Sequence, residues 1–568
     1  MIRSPARIAA VLGLAFAAAC VLPWRAATAA PPSHAEMVAL GARLYRDGIT
    51  TEGRPLTAVT RTGEPVLGTQ TYCVTCHRPS GFGSSEGGVY TPPITGPILF
   101  APTKLHRYDY RFADMYKQIQ PPGYNNRIHA PLIRPAFTTA SLGVLLRTGR
   151  NPAGAIMREM PRYTLSDRDV AALSAYLKTL SAKLSPGVGA RDMQFATIFT
   201  ADVPPARRRA VVDTLRAYFR WTNRNTDDDI GRPGFSPFYR SGFVPTYRDW
   251  VLHVWILHGP ARTWRAQLDA DLAAQPVFAE VSGIVDGPWA PVGRFCDDHR
   301  LPCIFPQTEL PSQQDGIDTY SIQFSDGLFL EARVMARFIA EQHPKARVIH
   351  EIVAPGPYGS EPAATFAAAV ARALPGAKLA VTQVADGGGW ARALRAASGG
   401  ADVLVVWPGA HPAAAIAALR QQDPATPLIL LPESATRAAK AALSGKLAAR
   451  VRLTRPTVLP TAVNPESFRT RNWLAARGVG VAAPRAEFEA YYAARLLRAA
   501  VNRLVDDYYR DYLVEWVEEE AENSLDPGVY PHLALAPGQR HASSGAYVVR
   551  LDPAAQGGIR AVTPWIVP

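Results

Sequence analysis

From residue 191 onward the chain alternates short apolar runs with Ala-rich amphipathic segments, and this alternation limits the possible folds more than any other feature. Phe195–Phe199 reads as a strand and Ala206–Thr222 as a helix. Trp250–Leu257 reads as a strand and Ala261–Ala274 as a helix. Val277–Val281 is a strand leading into Ser282-Gly283-Ile284-Val285-Asp286-Gly287; a helix then ends near His299, and Pro302–Pro306 is a further strand. The pattern resumes after residue 342. Strands over Arg347–Val353, Lys378–Gln383, Asp402–Trp407 and Pro427–Leu431 are separated by helices over Glu361–Leu374, Gly389–Ser398 and His411–Arg420. Such an alternation buries a parallel sheet between two helical layers. Two α/β lobes are therefore expected, meeting near residues 325–345. Beyond them Glu487–Glu520 reads as helix, with Tyr491, Leu496, Leu497, Val501, Leu504 and Val505 in register, and Tyr530–Leu551 as a hairpin around Pro537-Gly538-Gln539-Arg540.

Three phrases extend this reading: Gly283–Pro291 after the third strand, Leu301-Pro302-Cys303-Ile304-Phe305-Pro306, and Val353–Gly359 with its Tyr-Gly pair. On these the region resembles type I periplasmic binding proteins of the branched-chain amino-acid ABC-transporter type, over most of residues 191–520. The resemblance implies a two-lobed "Venus flytrap" with lobe 1 over about 191–340, lobe 2 over about 341–480, and returning C-terminal helices and a hairpin over 481–568. Ligands of open α/β folds bind at the carboxyl ends of strands, and two lobes close over them about a hinge. The cleft candidates are Asp286, Gly287, Trp289, Thr308, Glu309, Tyr358, Asp386 and Trp407. Asp286-Gly287 reads equally as a plain turn and Trp289 as a packing residue. The family offers small hydroxyls and backbone N–H groups to an amino-acid carboxylate; this chain departs from it by placing Asp286 and Trp289 there.

The N-terminal third carries different chemistry. Arg3 and Arg7 precede an apolar run, Ile8–Leu22, and Ala27-Thr28-Ala29 supplies small residues for cleavage, so residues 1–29 read as a signal peptide. The run is too short to span a membrane comfortably, and Ala17 three residues before Cys20 departs from a lipidation signal. A periplasmic location is expected. Cys73-Val74-Thr75-Cys76-His77 is Cys-x-x-Cys-His. Two thiols one helical turn apart suit thioether bonds to a haem, and the adjacent His suits the iron. A thioredoxin-like dithiol would want a βαβ context and a zinc site a second ligand pair; neither is at hand. Of the remaining cysteines, Cys296 and Cys303 form a close pair, open to a disulfide or to two buried thiols.

Around the motif, His34–Asp47 reads as a helix with Met37, Leu40, Gly41 and Leu44 on one face. Ser166 and Asp169 make a capping box before Val170, Leu173, Leu177 and Leu180. Met160-Pro161 just precedes that last helix. With the haem motif, these features resemble class I cytochrome c over residues 34–183, and the long stretch Gly48–Gln70 departs from it as a surface hairpin or loop. The resemblance implies an all-α cytochrome c domain (30–183) joined by a linker (184–190) to the α/β domain. It implies one covalent haem c on Cys73 and Cys76, with His77 and Met160 as axial ligands and the Pro97 carbonyl behind His77. Met157 and Met115 rival Met160, and His106 and His129 offer a bis-His alternative.

One-electron transfer with a periplasmic dehydrogenase or oxidase is the first functional expectation, the α/β domain binding a small molecule or docking the partner. A solute-binding or sensing protein with an accessory haem is the alternative. An iron held by His and Met has no open position, which favours a carrier over a catalyst. The formal charge is +13, mostly Arg and scattered, with no basic run interleaved with aromatics. Nucleic acid is accordingly not an expected partner.

Overall fold

In the computed structural model, residues 32–86, 89–103, 133–231, 247–385, 389–397, 399–462, 464–523 and 528–568 are described. The signal segment, His106, Met115, His129 and Asp386 lie outside them. Two compact units form: a smaller one ending at Leu180, and a larger one holding His77–Ser84, Thr91–Pro93 and Ser181–Pro568.

The smaller unit is built on two crossing helices, α1 (His34–Asp47) and its last helix. Between them lie β1 (Ala58–Val59), β2 (Pro65–Val66), α2 (Cys73–His77), β3 (Ser84–Glu86), β4 (Val89–Thr91), α3 (Gly96–Leu99), α4 (Thr139–Thr148) and β5 (Arg162–Tyr163), before α5 (Asp167–Thr179). Both long helices start at capping boxes, Ser33/Glu36 and Ser166/Asp169. They cross at Gly41, where a Cβ would lie 2.1 Å from the Ala172 carbonyl oxygen. Leu44 and Tyr45 pack there against Ala172 and Tyr176. Asp169 also receives the Thr51 N–H and hydroxyl at 2.7 and 2.8 Å, which ties the following loop to α5. The unit is not all-α as expected. Part of the Gly48–Gln70 stretch folds into the antiparallel β1–β2 pair, and β5 joins it in the order β2-β1-β5.

In the larger unit, lobe 1 contains β6 (Asp192–Thr200), α6 (Pro205–Gly231), β7 (Asp249–Leu257), α7 (Trp264–Ala274), β8 (Ala279–Ile284), α8 (Ala290–Asp298), β9 (Cys303–Ile304) and β10 (Ser321–Ser325). Lobe 2 contains α9 (Gly327–Gln342), β11 (Val348–Val353), α10 (Pro357–Ala373), β12 (Lys378–Gln383), α11 (Trp390–Ala397), β13 (Val403–Trp407), α12 (Pro412–Gln422), β14 (Leu428–Leu431), α13 (Thr436–Ala442), α14 (Gly445–Arg450) and β15 (Val451–Arg455). The chain then returns to lobe 1 with α15 (Pro465–Ala475), α16 (Pro484–Leu504), α17 (Arg510–Asn523) and β16 (His541–Ser543). It finishes in lobe 2 with β17 (Tyr547–Leu551) and β18 (Ile559–Ala561). The lobe 1 sheet has the order β16-β10-β9-β8-β6-β7, parallel throughout. The lobe 2 sheet runs β12-β11-β13-β14-β15-β17-β18, antiparallel only at β17 and β18.

The two-lobed α/β expectation thus describes this unit, with shifted boundaries. Lobe 1 ends near Ser325 rather than 340, because the apolar face of α9, from Leu330 to Ile339, enters the second lobe's core. Residues 465–480 belong to lobe 1, since Leu474 joins its core. The expected hairpin over Tyr530–Leu551 does not form. β16 adds parallel to β10 while β17 pairs with β15 in the other sheet. Cys296 and Cys303 are joined by a disulfide with Cα atoms 6.3 Å apart, tying α8 to β9.

Candidate functional site

The Cys-x-x-Cys-His segment forms one turn of helix, α2. Neither cysteine is in a disulfide; Cys73 is buried and Cys76 exposed. Burial pushes the Cys73 thiol up to about 12 and holds the buried His77 imidazole down at about 4. His77 Nδ1 lies 3.1 Å from the Pro92 carbonyl oxygen. A carbonyl only accepts, so Nδ1 carries the proton and Nε2 keeps its lone pair. The expected partner was the carbonyl of Pro97. That residue instead lies in α3, whose Gly96 sits so close to Lys178 that a Cβ would come within 2.5 Å of its carbonyl oxygen. Tyr163 is held above the usual phenol range by burial and then by the charges of Cys73 and Cys76, which puts β5 beside the motif. Met160 is half-buried, three residues before Tyr163. These residues fit a covalent haem: two thiols one turn apart that are not joined in a disulfide, and an imidazole oriented through its far nitrogen.

The second candidate lies between the lobes, where the carboxyl ends of both sheets meet. Helix starts and loops after those ends supply it. Lobe 1 contributes Arg207 in the first turn of α6, Asp286 after β8, Glu309 after β9 and Arg485 in the first turn of α16. Lobe 2 contributes Tyr358 in the first turn of α10 and Glu433 after β14. Two side-chain bonds of this cluster join residues of different lobes. The Tyr358 hydroxyl donates to Asp286 Oδ1 at 2.8 Å, and Arg485 Nη1 pairs with Glu433 Oε2 at 3.0 Å. The Asp286 N–H donates to Thr200 Oγ1 at 3.0 Å, which fixes the loop after β8. Glu433 is further held by Arg455 at 2.9 Å and by the Thr457 hydroxyl at 3.1 Å. Arg485 also pairs with Glu489 at 3.0 Å, and Glu489 in turn accepts from the buried Tyr530 hydroxyl at 2.8 Å.

Two carboxyls in this cluster are held above the usual range. Desolvation is the first cause for Glu309; Arg485 and Arg207 oppose it, and Glu433 and Asp286 add to it. Desolvation pushes the buried Glu331 up to about 8, with the charge of Glu433 adding, against hydrogen bonds from Thr454 and the Glu433 N–H. Glu331 thus keeps its proton in the folded state well above the unfolded range near 4.5. Between those two pH values the native state binds more protons, so stability falls as pH rises, by about 1.4 kcal/mol per pH unit for one such group. Glu331→Gln is expected to flatten this slope and to gain stability over wild type at pH 8. Urea melts from pH 5 to 8 check it, and parallel slopes for the two proteins would remove Glu331 as the cause.

Of the residues named from sequence, Asp286 and Tyr358 meet across the lobes. Thr308 and Gly287 are engaged with each other and with their neighbours. The Thr308 hydroxyl bonds the Gly287 carbonyl and the Leu310 N–H, and buried Gly287 packs on Trp264. Trp289 and Trp407 are core residues with no exposure, whose indole N–H groups are used internally by Ser321 Oγ at 2.9 Å and Glu351 Oε1 at 2.7 Å. Arg207, Arg485 and Glu433 were missed. Glu433 follows a strand directly and was within reach of the rule that found Asp286. Arg485 comes from a helix that returns to lobe 1 after lobe 2 is complete, a placement that strand-end reasoning does not reach.

No protein-family model matches the sequence, and no curated protein does. Solved structures similar to the chain include a fatty acid ABC transporter substrate-binding protein from Thermomonospora curvata. It is 14% identical, covering 68% of this chain and 95% of its own, with a TM-score of 0.48. A branched chain amino acid ABC transporter structure from Thermus thermophilus with bound valine is 13% identical over 66% of this chain and 97% of its own, TM-score 0.49. A leucine binding protein from Thermotoga maritima is 13% identical over 66% and 99%, TM-score 0.46. Among the described residues, no helix is long and apolar enough to cross a membrane.

Proposed function

We propose that the chain is an exported solute-binding protein that also carries a covalent haem. One observation supports solute binding above all: side chains from the carboxyl ends of two separate sheets converge in one cleft, and two of the bonds there, Tyr358–Asp286 and Arg485–Glu433, join the lobes. Residues that bridge mobile lobes are placed to respond to whatever enters between them. The hinge is the set of strand exits near 325–327, 455–462 and 543–547. A thermal-shift screen on haem-loaded protein with amines, amino acids, alcohols, aromatic acids and sulfur compounds tests this. A ligand at 100 times its Kd is expected to stabilise the protein by about 2.7 kcal/mol. Asp286→Ala is expected to abolish the gain, and a flat response to every class would defeat the reading.

The second element is the haem. Cys73 and Cys76 would hold it, and His77 Nε2 and the Met160 thioether would be its protein ligands. When bound, such a group supplies reversible one-electron transfer, at a potential raised by a thioether ligand. The chain's own contribution is orientation. The Pro92 carbonyl fixes the imidazole plane and tautomer and strengthens its donation. A periplasmic dehydrogenase or oxidase is the proposed electron partner.

A further inference from the structure

The segment that follows His77 in the chain is held by helix α17. His77–Ser84 belong to the larger unit, as α17 does. The Ser80 N–H and hydroxyl both donate to Glu515, each at 2.7 Å and each to its own carboxylate oxygen. Ser80 and Glu515 are both buried. Arg78 Nη2 pairs with the buried Glu518 at 3.1 Å. The Phe82 ring stacks on Tyr512, with centroids 4.2 Å apart and planes 13° from parallel. Tyr512, Glu515 and Glu518 recur every three residues and so line one side of α17. The segment also closes on itself. The Gly83 N–H donates to the His77 carbonyl at 3.1 Å, and the Phe82 N–H to Ser80 Oγ at 3.1 Å. The Ser80 carbonyl accepts from the Ser181 hydroxyl at 2.7 Å.

This anchoring acts on a backbone that local preference opposes. Arg78, the neighbour of His77, has a φ of 63°, in the left-handed region that residues with a side chain rarely adopt. Pro79 follows it, and the residue before a proline favours an extended conformation instead. Such a turn persists only where its surroundings hold it. We propose that Glu515 and Glu518 are positioning residues for His77: acting through Ser80 and Arg78, they hold the left-handed turn from which the imidazole is presented. The proposal rests on the haem reading above. The Pro92 carbonyl sets the tautomer and plane of the ring, and α17 fixes the backbone behind it.

The haem-loaded full chain tests this with Glu515→Ala, Glu515→Gln, Arg78→Ala and Arg78→Gly, read by amide exchange, ferric paramagnetic resonance and midpoint potential. Glu515→Ala is expected to speed exchange at the Ser80 amide by about tenfold or more. It is expected to broaden the ferric resonance, which reports the orientation of the imidazole, and to raise the potential, because a looser imidazole donates less to ferric iron. Glu515→Gln removes the same charge but can still bond Ser80, so it is expected to keep the wild-type resonance. A potential shift shared by both variants belongs to charge, and the excess in Glu515→Ala to position. Arg78→Gly, which adopts a positive φ without strain, is expected to stay closer to wild type than Arg78→Ala. Faster exchange in Glu515→Ala with a wild-type resonance, and no excess potential shift over Glu515→Gln, overturns the positioning role and leaves the haem reading standing. Unchanged exchange at Ser80 overturns it too. If Glu515→Ala does not fold, the two Arg78 variants decide, and identical resonances from them overturn the role. Colourless wild-type protein removes the haem reading and this proposal with it.

Discussion

Matured in a host that attaches haem in its periplasm, the full chain is expected to be red, with one haem per chain resistant to acid-acetone extraction. The Cys73→Ala, Cys76→Ala double variant is expected to be colourless. Loss of both thioethers removes the covalent attachment itself, so the effect is complete rather than graded. Cys76, exposed on α2, is the more accessible thiol, whereas Cys73 is buried and held protonated up to about 12 in the haem-free chain. Single variants are therefore expected to differ: Cys76→Ala keeps only the enclosed sulfur. Met160→Ala is expected to retain the haem but to lose the ferric sulfur-to-iron absorption band and to lower the potential, since a soft thioether favours ferrous iron. The same change at Met157 is expected to leave both unchanged. Colourless wild-type protein with two titratable thiols at Cys73 and Cys76 would end the haem reading. A red Met160→Ala protein with an unchanged spectrum would move the axial position elsewhere.

Local signals in the sequence were read well where one element supplies both the signal and its consequence. The helix His34–Asp47 starts at Ser33 because the cap and its Glu36 partner lie three residues apart, and Gly41 marks a close crossing because nothing larger fits against Ala172. The strands β6–β9 and β11–β14 followed from apolar runs while β10 and β15, shorter and more polar, did not, and Asp286 and Tyr358 followed from their place after strands. What was missed depends on long-range topology. Trp289 follows a strand as Asp286 does and Trp407 ends one, but their rings turn inward, with their indole N–H groups on Ser321 and Glu351. The Pro92 carbonyl took the place given to Pro97 because the intervening backbone path, not spacing, sets which carbonyl reaches His77. Arg485 depends on the chain leaving lobe 1, completing lobe 2 and returning.

Arg540→Ala is expected to lower the stability of the α/β unit by about 3 kcal/mol, the low end of the cost of breaking a buried pair, in urea melts. Arg540 is 1% exposed, among the least accessible charged residues described. Its guanidinium pairs with Glu518 at 2.6 Å and donates to the carbonyls of Thr319 and Gln539, while its N–H donates to Asp315 at 2.8 Å. Alanine would leave the Thr319 carbonyl without this donor and Glu518 with one guanidinium fewer. Glu518 would retain Arg78 at 3.1 Å and the Gly538 N–H at 3.0 Å, which keeps the loss below that of a wholly orphaned carboxylate. Lysine is expected to rescue little, because one ammonium cannot reproduce a fork that meets a carboxylate and two carbonyls at once. Arg540 directly precedes β16, the strand that leads into the last hinge passage. The substitution is therefore also expected to loosen the lobe 1 sheet edge at β10, and amide exchange there should rise ahead of exchange in β13 of lobe 2. Equal acceleration in both sheets would mean global unfolding without a local role for the ion pair. Wild-type stability in Arg540→Ala would show that the buried pair contributes nothing net.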